Sequence, residues 1–137
     1  MSTNFSFLAE KYPSLERFGE DAENTMYSAP AESIVSAGKL CRSMMRSIYE
    51  FNKQPAEEGI PQDELIAGLS EFGNVPDYVS DAFTVVEASC RDAEENAESK
   101  RSGDAKTVLQ LTHMLCSWFM LTFVNMKWQP QDFRIPE

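Results

Sequence analysis

Few side chains in this chain can do chemistry, and His113 comes first because it is the sole histidine among 137 residues. A nucleophile needs a base beside it, and an RNA-cleaving site needs a cation on the phosphate with a histidine one or two helical turns away. The residues four to seven places before His113 are Leu109, Val108, Thr107 and Lys106, and the nearest upstream arginine is Arg101. No arginine–histidine pair of that spacing exists, and His113 lies in an apolar run, so it reads as a packed structural imidazole. A zinc or iron centre would need a second histidine or paired cysteines. Cys41, Cys90 and Cys116 are widely separated and lack a C-x-x-C spacing. Asp92, Glu94, Glu95 and Glu98 crowd one stretch without the Asp/Asn-Gly pattern of a calcium loop, which reads as a solvated acidic face. Neither G-x-x-x-x-G-K nor G-x-G-x-x-G occurs. No catalytic, cofactor-binding or metal residue is therefore assigned. One candidate interaction face remains, Lys39, Arg42 and Arg46, which align with Lys53 when positions advance by about 100° per residue. It reads first as a solvated face and second as a surface for a phosphate backbone or an acidic partner.

These residues are placed by helices. After an aromatic lead with Phe5, Phe7 and Leu8, Pro13 and Ser14 open a helix whose stripe is Leu15, Phe18, Ala22 and Met26; Gly19 weakens it without stopping it. Ser28 is positioned to cap the next helix, Pro30 suits its first turn, and Ile34, Ala37, Cys41, Met44 and Ile48 follow at spacings of 3 and 4. The segment 52–61 is loop chemistry. A short helix then carries Leu65, Ile66, Leu69 and Phe72 and is expected to stop in a left-handed cap at Gly73 and Asn74. Pro76 opens a fourth helix with the stripe Val79, Ala82, Phe83, Val86, Cys90, Ala93 and Ala97, and with Asp81, Glu87, Asp92 and the later glutamates on the remaining positions. The stretch 94–103 is expected to fray or turn. The last helix is expected from about Asp104 to Lys127, apolar nearly all round and hence central, with Leu111, Leu115, Trp118 and Phe119 inaccessible. The β-rich patch 83–86 lies inside a helical stripe and yields to it. The methionines, Met44, Met45, Met114, Met120 and Met126 among them, read as core filler before a peptide groove. The expectation is an all-α single bundle of about five helices over residues 1–127, second and last helices central, with an extended tail over 128–137.

Composition narrows the function. Hydrophobic residues make up 42% and charged residues 25%, which is a globular rather than a disordered balance. A formal net charge of -10 has the wrong sign for autonomous nucleic-acid or anionic-membrane binding. The odd, scattered cysteines fit a reducing, cytoplasmic setting, no secretory signal is evident, and the 13-residue apolar stretch from Met114 to Met126 is shorter than the roughly 18 to 20 residues a bilayer span needs.

The order Asn4-Phe-Ser-Phe7-Leu8, Leu15 with Gly19 and Ala22-Glu23, Tyr27-Ser-Ala-Pro30, Ser33-Ile34-Val35 and Ile48-Tyr49-Glu50 resembles the small helical domain at the N-terminus of the restriction (R) subunit of type I restriction-modification systems. Asp104-Ala105, Leu109, Leu111-Thr-His113-Met-Leu115 and Trp118-Phe119 look like the last helix of that domain, and Asp132-Phe-Arg-Ile-Pro136 looks like the segment that leaves it. The resemblance implies an all-helical fold related to the HEPN superfamily, some members of which are ribonucleases. The family's Arg…Gly-Asn…Ala-His fingerprint corresponds here to the stretch Arg91 to Ser99, where Arg91 survives beside Asn96 and Ser99 while the glycine and histidine are replaced. Gly38 and Arg42 stand where an arginine and a glutamate are common in the second helix. What this implies is a non-catalytic interaction or scaffolding module whose partners are other domains or subunits of a restriction complex. ATP, magnesium, DNA cleavage and translocation would belong to the rest of the parent protein. The alternatives are a stand-alone HEPN-like ribonuclease or toxin, and an accessory protein that binds a restriction complex.

Overall fold

A computed structural model describes residues 4–56 and 59–136. Every regular element among them is helical: α1 (Pro13–Thr25), α2 (Pro30–Phe51), α3 (Gln62–Gly68), α4 (Asp77–Glu95) and α5 (Ser102–Phe119), with short 3-10 turns at Ser6–Leu8, Leu69–Glu71 and Ala97–Ser99. The five helices form one bundle, and residues 83–86 lie inside α4 as their stripe requires. α2 is the axis, packed by α1, α4 and α5 and touched by α3. Its buried residues Ile34, Ala37, Leu40, Cys41, Met44, Met45 and Ile48 spread round most of the helix, because neighbours lie on several sides. Ser33 and Tyr49 fasten it further. Ser33 Oγ donates to the carbonyl of Ala22 in α1 at 2.6 Å, and the Tyr49 hydroxyl donates to the carbonyl of Leu65 in α3 at 2.6 Å.

The helix ends differ from expectation in instructive ways. Ala29, not Ser28, is the N-cap of α2, and no side chain caps it; Pro30 at the first helical position removes one of the orphan donors instead. Gly73 does not adopt the left-handed conformation. α3 tightens into the 3-10 turn at Leu69–Glu71 and leaves through an extended Phe72. The left-handed cap is found at Lys53 (φ 57°), where the Lys53 amide donates to the Glu50 carbonyl and that of Gln54 to the Tyr49 carbonyl, the paired bonds of a Schellman end. α4 ends at Glu95, so Ala97 falls outside the stripe and is exposed.

α5 begins at Ser102, two residues before the expected start, because the Asp104 carboxylate accepts the Arg101 amide at 2.9 Å. It ends in a π-helical turn, Met120–Val124, closed by the Asn125 amide on the Met120 carbonyl, rather than running on to Lys127. Leu109, Leu115, Cys116 and Phe119 are fully enclosed, but Leu111 is only half-buried, so α5 is central on one broad face and not on all sides. With its π turn it is long and apolar enough by length and composition to cross a membrane, which the shorter 114–126 stretch is not; half of that window is buried inside the bundle. Met44, Met45 and Met120 are core, while Met126 is exposed. The tail lacks regular structure and lies along the lead, with Trp128 against Phe7 (ring centroids 4.7 Å).

Candidate functional site

The basic face of α2 divides in two. Lys39 is exposed, Arg46 is half-exposed, and neither makes an ion pair among the described residues. Arg42 departs from the solvated reading: its Nε and Nη2 donate to the two carboxylate oxygens of Glu87, each at 2.8 Å. Glu87 is the second departure. It lies one residue past Val86 on the side of α4 turned to α2, and is 6% exposed. Its burial is bearable because a planar guanidinium satisfies both oxygens at once. The bidentate bond holds the Arg42 guanidinium well above its ordinary range. α2 and α4 approach closely enough for this because Gly38 lacks a side chain; a methyl there would meet Cys90 Sγ at 2.5 Å.

The fingerprint residues lie at the outer edge of the same network. Arg91 Nε donates to Glu87 at 3.2 Å and its Nη1 to Asp63 of α3 at 3.1 Å. Asn96 turns back to donate to Asp92, and the Ser99 hydroxyl donates to the Asn96 carbonyl, so both close the end of α4. Asp92 also pairs with Lys100, which keeps its carboxyl below the usual range, and Glu94 lies 3.8 Å from Arg42. Asp92 and Glu94 of the acidic set are thus drawn into ion pairs, and among the described residues no group of His, Cys, Asp and Glu is arranged to hold a metal.

His113 lies elsewhere, 5% exposed, under the lead and the tail. Phe5, Phe7 and Phe133 surround it at ring-centroid distances of 6.0, 6.0 and 5.7 Å in edge-to-face arrangements, and its Nε2 is buried without a hydrogen-bond partner. Burial lowers its pKa, against the opposing pull of Asp132. Arg91 and His113 share no contact: one faces α3, the other the chain's two end segments.

Two further features are scarcely marked in the sequence. A cavity of about 240 Å³ opens where the lead, the start of α1 and the end of α5 meet, lined by Leu8, Tyr12, Met120 and Trp128, with Glu10 and Lys11 beside them. An exposed aromatic step is formed by Phe51 (46% exposed) stacked on Phe123 at 5.0 Å, which in turn rests on Trp118. Only the apolar character of Phe51 at a polar helix end hinted at it.

No protein-family model, curated protein or solved structure matches the chain.

Proposed function

We propose that this chain is a non-catalytic interaction module of the kind that opens type I restriction R subunits, working in the cytoplasm by docking onto other domains or subunits of a restriction complex. The observation that carries the reading is the engagement of Arg91. A phosphodiester-cleaving site needs a free cation next to a proton donor. Arg91 is shared between Asp63 and Glu87, and the sole histidine lies under phenyl rings on another face. What α2 leaves available is Lys39 and Arg46, flanked by Glu32 and Glu50, with the Phe51–Phe123 step at the C-terminal end of the helix. Isolated cations on a helix that ends in an exposed phenyl ring suit a protein surface with acidic groups better than a nucleic acid, given the net charge of -10.

The test is titration of the purified chain against a purified type I specificity–modification core, read by fluorescence anisotropy. Binding weakened about tenfold or more by Lys39→Glu with Phe51→Ala is expected. Absence of binding up to high micromolar concentration removes the reading. In parallel, labelled RNA incubated with and without magnesium is expected to stay intact; cleavage that disappears in Arg91→Ala or His113→Ala would replace the module with a ribonuclease.

A further inference from the structure

The two ends of the chain close over one face of α5, and they do so through each other. The Asn4 side chain donates to the Arg134 carbonyl and accepts from the Arg134 amide, both at 2.7 Å, a paired contact spanning 130 residues. Asn4 is itself held to α1, its amide and its side chain both donating to Glu23. Farther along the tail, Tyr27 donates to the Pro136 carbonyl at 2.5 Å. Beneath this clasp sits His113, ringed by Phe5 and Phe7 from the lead and Phe133 from the tail, with Nε2 facing no acceptor.

We propose that the clasp is proton-sensitive: when His113 takes up a proton, the lead and the tail part from α5 to admit water to the charged ring. A neutral imidazole can leave its buried Nε2 unprotonated in this phenyl-lined niche, whereas an imidazolium carries there an N–H that has no acceptor. The charged groups around it do not replace that water. Asp132 of the tail favours the proton, but burial outweighs it. Glu23 of α1 is committed to Asn4, and Arg134 of the tail is a cation whose backbone forms the clasp. One turn away on α5 itself stand Leu109, Gln110, Cys116 and Ser117, none charged at neutral pH. The closed form therefore prefers the neutral ring. Its advantage is complete above the ordinary histidine value of 6.5 and is lost as pH falls below it toward the lowered value of the closed form.

Amide hydrogen exchange on the full chain tests this at one atom, the Arg134 N–H. After correction for intrinsic exchange, its protection is expected to drop by about fivefold or more between pH 7.5 and 5.5 while the Met44 amide in α2 holds steady. In His113→Asn the drop is expected to vanish. Protection that is unchanged or rises on acidification overturns the proposal, the latter meaning that Asp132 captures the charged ring. A full drop persisting in His113→Asn overturns it, because the loss would then owe nothing to the imidazole. If that variant does not fold, Asn4→Ala serves in its place: loosening the clasp must move the titration of His113, followed through its Cε1 proton, up toward 6.5, and an unmoved titration sinks the idea.

Discussion

Arg42 and Glu87, one on each of two neighbouring helices, are joined by two hydrogen bonds of 2.8 Å, and the carboxylate of the pair is almost wholly enclosed. Glu87 has a second cation, Arg91, at 3.2 Å one turn further along its own helix. The pair acts as a polar rivet between α2 and α4 at a level where Gly38 has let the two backbones close up.

Removing one half of the rivet is therefore costlier than removing both. Arg42→Ala leaves an enclosed carboxylate with only the half-exposed Arg91, and we expect a loss of about 2 to 4 kcal/mol, less than for a fully buried pair because Arg42 is 31% exposed. Arg42→Met with Glu87→Leu should recover most of it. Urea unfolding of the two single variants and the double variant checks this, and a double variant no better than Arg42→Ala would count against the account.

Two leucines on one helix separate the covered face of α5 from its open side. Leu115 is fully enclosed, and Leu115→Ala is expected to cost about 2 to 5 kcal/mol. Leu111, one turn earlier and half-buried, should lose no more than about 1.5 kcal/mol on the same truncation. Equal losses in thermal or urea unfolding would contradict the placement of the helix.

The three thiols should be silent in the native protein. Burial pushes Cys41 up from 9.0 to about 12, Cys90 to about 11 and Cys116 well above its ordinary value. The thiolate is the reactive form, so a disulfide reagent at pH 8 is expected to modify all three only after denaturant is added. The sign of the pH effect follows. The folded state prefers the neutral thiols, so their contribution is whole below about pH 9 and falls as pH rises toward about 12. Unfolding midpoints measured from pH 8 to 10.5 should decline; rapid labelling of native protein at pH 8 would refute the burial.

The helices were readable because each buries one stripe, and stripes survive in sequence as spacings of three and four. The exceptions share a cause. Glu87 follows Val86 directly, and nothing in its neighbours marks it as facing inward; its partner stands 45 positions earlier on another helix. Likewise Asn4 and Arg134 are 130 residues apart, and the tail composition told only of an extended path, without the surface beneath it. The cap at Lys53 escaped because glycine was expected to take the left-handed position, and two backbone bonds hold a lysine there instead.

Because Asn4 and Arg134 touch, the polypeptide enters and leaves the bundle at a single point, and its path is a nearly closed circuit. A circuit has no privileged opening. Joined there by a short linker and cut between α2 and α3, the same residues could be synthesised in permuted order and reach the same packing. Equally, the bundle could be spliced into an exposed loop of a host protein without prising the host's two strands of chain apart.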